Sequence, residues 1–155
     1  MTFRGTNTYL LGISDIAVID PGPNDERHLT NIFKCLERGQ QITHILLTHS
    51  HIDHSPLAKK LSELTGAKIY AYGPTGAGQS PVMHDLLKSG YTGGGEGRDE
   101  DFKPNVCLEE GEIIDVAREP LEVIYTPGHF GNHICFAWKG ALFSGDHVMD
   151  WATSM

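Results

Sequence analysis

Basic side chains are scarce in this chain: 12 Lys and Arg stand against 20 Asp and Glu in 155 residues, for a net charge of −8. That balance argues against chain-wide attraction to nucleic acid or to an anionic lipid surface. Cysteine is scarcer still. Cys35, Cys107 and Cys135 are widely spaced and form no CxxC pair, so a disulfide framework is not expected. The reading is instead of buried or partly buried free thiols in a reducing compartment. No stretch approaches the ~18 consecutive apolar residues of a membrane span, and no basic-then-apolar leader pattern opens the chain. We therefore expect a soluble, cytoplasmic protein with no membrane partner, organised as one domain over residues 1–155.

Short β-favouring runs at Thr8–Leu11 and Ile16–Ile19 read as a hairpin, stopped by Asp20-Pro21-Gly22-Pro23. Leu29, Ile32, Phe33 and Leu36 recur at helical spacing between Asp25 and Arg38, and Gly39 stands where such a helix would end. Ile42–Leu47 reads as a buried strand. Ser55-Pro56 reads as the N-cap and first turn of a helix carrying Leu57, Leu61 and Leu64 and closed by Gly66. After a further strand at Ala67–Tyr72, residues 73–105 are glycine-rich and charged. They are expected to be a loop-rich insertion with one short helix near His84–Lys88, and the run Gly93-Gly94-Gly95 suits a mobile flap. Four more strands are predicted, at Glu112–Val116, Leu121–Tyr125, His133–Trp138 and Ala141–Ser144, with Lys139-Gly140 as a hairpin turn. The fold class is thus mixed α/β, a sheet with helices on its outer face.

Directly after the Ile42–Leu47 run, His49-Ser50-His51-Ile52-Asp53-His54 brings three imidazoles and a carboxylate together in an HxHxDH pattern. Imidazole nitrogen and carboxylate oxygen are the usual ligands of zinc and related metals, and such a metal generates hydroxide at neutral pH. Hydrolysis is the leading expectation. Thr126-Pro127-Gly128-His129 and Ser144-Gly145-Asp146 then repeat one design, a strand, a tight Gly turn and a ligand-type side chain. His28, His44 and His84 read as solvated or structural histidines, and Phe136, Trp138, Phe143 and Trp151 as core or interface aromatics.

Together with Asp20 in Val-Ile-Asp-Pro-Gly, these motifs resemble, in order, the signatures of the metallo-β-lactamase-fold hydrolases. The resemblance implies an αββα sandwich and two zinc ions. It places His49, His51 and His129 on one metal and Asp53 and His54 on the second, with Asp146 bridging. Asp53 or a metal-bound water would handle the proton in catalysis. Asp20 would sit behind the ligands and orient them, and His133 and His147, which flank ligands, would line the cleft or support it. Two zinc ions with a bridging hydroxide would add about three positive charges at one point, so an anionic substrate is compatible with the acidic chain.

The chain departs from the family in its length. After Ser-Gly-Asp the family continues with further strands, helices and a final metal-binding histidine, whereas this sequence stops at Met155. The expectation is a fragment with an incomplete second half and an exposed sheet edge that could support a homodimer. Asp146 differs from the cysteine of many zinc β-lactamases, and His51 from the glutamate of the flavin-linked di-iron oxygen reductases. The Gly5-Thr6-Asn7-Thr8-Tyr9 start, Ser55-Pro56 and Gly-Asp-His-Val-Met look most like the β-lactamase-like-protein-2 branch. A metal-bridging hydroxide would then attack an ester, a thioester or a phosphodiester, the substrate being a small molecule or single-stranded nucleic acid, as in an RNA endonuclease. A glyoxalase II-type thioesterase and a non-catalytic metal-binding fragment are the alternatives.

Overall fold

The computed structural model describes residues 5–91 and 97–149. Gly93-Gly94-Gly95 and Trp151, singled out above, lie outside the described residues. Nine strands form two sheets. The first runs β1 (Tyr9–Gly12), β2 (Asp15–Ile19), β3 (Gln41–Leu46), β4 (Lys68–Ala71) and β5 (Val106–Cys107), in that spatial order. β1 and β2 are the expected antiparallel hairpin, and every later pair is parallel. The second sheet is an antiparallel meander of β6 (Ile113–Val116), β7 (Glu119–Tyr125), β8 (Ile134–Trp138) and β9 (Ala141–Phe143). Lys139 and Gly140 both adopt positive φ between Trp138 and its partner Ala141, the backbone that a two-residue hairpin loop requires.

Alternation along β2, and along β3 on either side of a register shift at Thr43, explains the layering. Ile16, Val18, Ile42 and Ile45 point to one face, where they pack with Leu29 and Ile32 of helix α1 (Glu26–Lys34) and with Leu57, Ala58 and Leu61 of α2 (Leu57–Thr65). Ala17, Ile19 and Leu46 point to the other face and meet Leu121, Val123, Ile134 and Phe136 of the second sheet. β3 is buried at Ile42, Ile45 and Leu46, with half-buried Thr43 and His44 between them. Among the described residues the layers are helices, sheet, sheet, and no helix covers the outer face of the second sheet. The mixed α/β architecture with two sheets is therefore consistent with the sandwich that the resemblance implies.

Three expectations need correction. Helix α1 stops at Lys34, short of Arg38, because the Cys35 and Leu36 amides turn back on Asn31, Ile32 and Phe33; Leu36 packs on the core from beyond the helix and so prolongs the helical periodicity. Ser55 does not cap α2. Its hydroxyl bonds Asp99 Oδ2 at 2.7 Å and His51 O at 3.2 Å, and no side chain caps that helix. Cys35 and Cys107 are exposed, and only Cys135 is buried. No helix among the described residues is long and apolar enough to cross a membrane.

Residues 73–105 contain a full helix, α3 (Pro81–Lys88), longer than expected and started by Ser80, whose Oγ accepts from the Met83 amide. The segment Gly97–Asp99, expected in a flap, is stitched to the HxHxDH loop. Ile52 N donates to Gly97 O at 3.2 Å, Asp99 N donates to Ser50 O at 2.9 Å, and His51 pairs with Arg98 as an isolated β-bridge.

Candidate metal centre

Four chain segments leave their strands at one rim of the two sheets. Ile19 at the end of β2 is followed by Asp20, Leu46 at the end of β3 by the loop Thr48–Ser55, Tyr125 at the end of β7 by His129, and Phe143 at the end of β9 by Asp146. Open sheets place their chemistry at such strand ends. The loop is pinned at both sides: Ile134 N donates to Thr48 O, while Gly22 donates to His54 O and accepts from Leu57 N. Gly22 has φ +93°, and a Cβ there would sit 3.1 Å from the His28 ring, so that turn requires glycine. His28 itself bonds Thr8 Oγ1, and His44 bonds Thr43 Oγ1; both are structural, as expected.

The rim gathers all six ligand-type residues named from the sequence. His49 Nε2 lies 2.9 Å from His51 Nδ1, and His129 Nε2 lies 3.0 Å from the same atom. Donor atoms of His49, His51, His129 and Asp146 all fall within 4.8 Å of one another. The Asp146 carboxylate faces two ways, with Oδ2 at 3.5 Å from His129 Nε2 and Oδ1 at 3.3 Å from His54 Nε2. Asp53 Oδ2 is 3.3 Å from that same His54 nitrogen.

Hydrogen bonding fixes which nitrogens face the centre. Asp20, buried and held at φ +48°, accepts at Oδ1 from the Thr48 amide (2.8 Å) and at Oδ2 from the Thr48 hydroxyl (2.7 Å). Since that hydroxyl gives its proton to Asp20, His49 Nδ1 must donate to Thr48 Oγ1 across 3.0 Å. His49 Nε2 is left with a lone pair. His54 Nδ1 stands 3.0 Å from Asp20 Oδ2 and donates to it, which leaves Nε2 facing Asp53 and Asp146. Asp20 is thus both the turn residue and the orienting carboxylate that the sequence left open.

Burial favours the neutral form of four imidazoles, those of His49, His51, His129 and His133. It drives His49 well below the ordinary histidine range, His51 to about 4 and His133 to about 3, and the neighbouring imidazoles add to the effect. His129 is lowered as well, chiefly by burial. In His54 burial acts in the same sense, but the carboxylates of Asp20, Asp146 and Asp53 overcome it and raise its pKa. For Asp53 and Asp146 burial pushes upward and is outweighed by His54, with Thr6 Oγ1 assisting Asp53 and His129 assisting Asp146, so both carboxyls are lowered.

These donors fit a cation. His51 Nδ1 can carry one proton but faces two imidazole nitrogens, so hydrogen bonds cannot satisfy the whole trio; a metal ion does. Asp53 Oδ1 and His54 Nε2 are buried without a hydrogen bond, the latter close enough to two carboxylates for attraction but lacking bonding geometry. Unpaired buried polar atoms are costly unless something coordinates them. The cluster implies metal binding.

His133 does not line the cleft. It is fully buried, its ring 5.0 Å from that of His49, with Nδ1 bonded to Thr126 Oγ1 at 2.8 Å. The cleft that opens on His51 and His129 has a volume of about 420 Å³ and is walled by Met83 and Leu87 of α3, by Pro127 and Phe130, and by Arg98. Sequence reading missed Thr48, Asp99, Arg98 and Asn132. Asn132 Nδ2 ties Ser50 Oγ to the Gly73 and Pro74 carbonyls. Only Thr48 carried a signal, its position immediately before His49.

Comparison with known proteins gives one family. The profile of the metallo-beta-lactamase superfamily matches residues 1–152. The chain is 27% identical over 157 aligned residues to an atrochrysone carboxyl ACP thioesterase of Pseudocercospora fijiensis, covering 99% of this chain and 40% of that protein. It is 34% identical over 113 residues to the hydroxyacylglutathione hydrolase of Francisella tularensis subsp. novicida, covering 71% of this chain and 35% of the relative. The chain therefore spans less than half the length of these curated relatives. In structure it is similar to a metallo-beta-lactamase family protein from Thermus thermophilus, with TM-score 0.71, 24% identity, and coverage of 96% of this chain and 56% of that one.

Proposed function

Because the chain belongs to the metallo-beta-lactamase superfamily, we propose that it is the ligand-bearing part of a zinc-dependent hydrolase acting on a thioester or ester. The observation that carries this reading is the two-faced Asp146 carboxylate, with one oxygen toward the His49/His51/His129 trio and the other toward His54. On this reading His49, His51 and His129 hold one zinc ion, Asp53 and His54 a second, and Asp146 lies between them. When bound, zinc polarises a carbonyl oxygen and lowers the pKa of water from ~15.7 toward ~7.

The chain's own residues do the rest. Asp20 fixes His54 directly and His49 through the Thr48 hydroxyl, so both imidazoles present Nε2 to the centre. Asp53 is held ionised by His54 and Thr6, and on this reading its carboxylate takes the proton of the attacking water and returns it to the departing sulfur or oxygen. The cleft walls exclude water and orient the acyl group.

Thioester cleavage is favoured over phosphodiester cleavage by the names of the relatives, a thioesterase and a hydroxyacylglutathione hydrolase. A single guanidinium at the cleft is also a poor track for a polyanion. The test is turnover of a glutathione thioester, a simple acyl thioester and single-stranded RNA by the zinc-loaded chain, with chelator and zinc add-back. Zinc-restored thioester cleavage that is lost in Asp146→Ala is expected. Cleavage that survives chelation, or that only RNA supports, overturns the proposal.

A further inference from the structure

The cleft beside the ligands is chemically lopsided. One wall is α3, whose apolar side chains find no core: none of its residues is buried, and Val82, Met83 and Leu86 are 69%, 40% and 41% exposed. Met83 and Leu87 face the cleft opposite Pro127 and Phe130. Among the described residues, and apart from the histidines His51 and His129, Arg98 is the ionisable side chain in the lining.

Arg98 is a built position, although it lies in a segment whose composition reads as loose loop. Its neighbours on both sides are bonded to the HxHxDH loop, through Gly97 O to Ile52 N and through Asp99 N to Ser50 O. The Asp99 carboxylate is held by Ser55 Oγ and its carbonyl by Thr75 Oγ1. The bridge to His51 places the Arg98 backbone directly across from a metal-site residue. The guanidinium stacks 5.8 Å from the centre of the Phe130 ring, a cation–π contact that keeps it at the cleft. Its side chain is 20% exposed, and Nε is ion-paired with the exposed carboxylate of Glu100 at 3.2 Å. The terminal nitrogens make no hydrogen bond to a described residue, so the planar fork that matches a carboxylate or phosphate is available.

We propose that this cleft selects acyl esters or thioesters that carry an anionic group, with the apolar part of the acyl chain against Met83, Leu87 and Phe130 and the anion on Arg98. This deepens the hydrolase reading and rests on it for the position of the scissile carbonyl. Charge complementarity supplies the preference: an exposed apolar wall by itself would accept any lipid-like chain, whereas one guanidinium fixed beside the ligands adds a directional requirement.

The experiment is calorimetric titration of the zinc-loaded chain with uncleavable acyl anilides of increasing length, each neutral anilide paired with its ω-carboxyl counterpart. The best acid is expected to bind at least about 10-fold more tightly than its neutral twin, the scale of one charge-assisted hydrogen bond. Arg98→Met should erase the difference between each acid and its neutral twin. Arg98→Lys should restore part of it. The metal-free chain should keep the preference, because Arg98 remains. Equal affinity for acid and neutral twins, an undiminished acid preference in Arg98→Met, or a preference that vanishes when zinc is removed would each overturn the proposal, the last by assigning the carboxylate to the metal. Since anilides are not turned over, a failed thioester assay would count against the hydrolase reading alone.

Discussion

The loop from Thr48 to Ser55 and helix α3 flank the same cleft, yet Thr48, His49, Ser50, His51, His54 and Ser55 are all buried while α3 buries none of its residues. In the loop, hydrogen bonds through Thr48, Asp20 and Asn132 fix the imidazoles of His49 and His54 and the hydroxyl of Ser50, while Asp53 Oδ1 and His54 Nε2 are left for an ion to satisfy. On α3, apolar side chains are left facing the cleft and the surroundings. Groups that must meet a metal ion to within tenths of an ångström are placed where local opening is expensive, and groups that only need to cover a substrate are placed where it is cheap. Rigidity and adaptability are thus divided between the two walls.

That contrast is broken most severely at the ligands. His49→Ala should reduce zinc retention more than about 100-fold, since losing even a residue behind a ligand costs ~10–100-fold, and Asp146→Ala should abolish binding of a second ion. Cys107→Ser, at an exposed thiol, is the control, and equal zinc content after dialysis in Asp146→Ala and Cys107→Ser would refute the ligand assignment. Next in size is Asp20→Asn, which keeps the shape but weakens the acceptor of the His54 and Thr48 bonds. A loss of ~10–100-fold in zinc affinity is expected by competition with a chromophoric chelator.

Thr48→Val removes only the hydroxyl link to His49 and should fall near the ~10-fold end of that range, with Thr48→Ser restoring most of the loss. Retention of full affinity by the valine variant would show that the His49 tautomer is set some other way.

A smaller effect comes from pH on the metal-free chain. His51 and His133 titrate near 4 and 3 in the folded chain and near 6.5 when unfolded, so below ~6.5 the unfolded chain binds more protons. Their contribution to stability is complete above that pH and declines as pH falls toward 4. His54, whose pKa is raised, contributes in the opposite sense above ~6.5. Urea midpoints that rise from pH 6.5 to pH 4.5 would contradict this. The smallest effect is expected on α3, where Leu86→Ser should shift the urea stability by less than ~0.5 kcal/mol because the side chain is already exposed.

How much of this was legible depended on how local each signal was. The HxHxDH loop, His129 and Asp146 each sit in a short motif just after a strand, so their pattern singled them out, while the role of Asp20 came only with the family resemblance; the fold brings all of them to one rim. Arg98 and Asp99 have no such frame. Their place is set by backbone bonds to residues more than forty positions away, in a segment whose composition suggests a loose loop. The serine–proline helix start shows the same limit. At Ser80-Pro81 the hydroxyl is free to cap α3, whereas at Ser55-Pro56 the tertiary partner Asp99 takes the hydroxyl and the cap is lost.

Asp20 has a consequence that concerns titration curves more than geometry. One carboxylate holds His49 through Thr48 and His54 directly, so the two halves of the centre share a single ordering cost. On the proposed two-ion reading, an ion that settles one half would immobilise Asp20 and lower the entropy loss left for the other half. By linkage the coupling is reciprocal, each ion raising the other's affinity by the same factor. The centre should therefore fill cooperatively, and removing the shared carboxylate should turn one steep isotherm into two independent shallow ones.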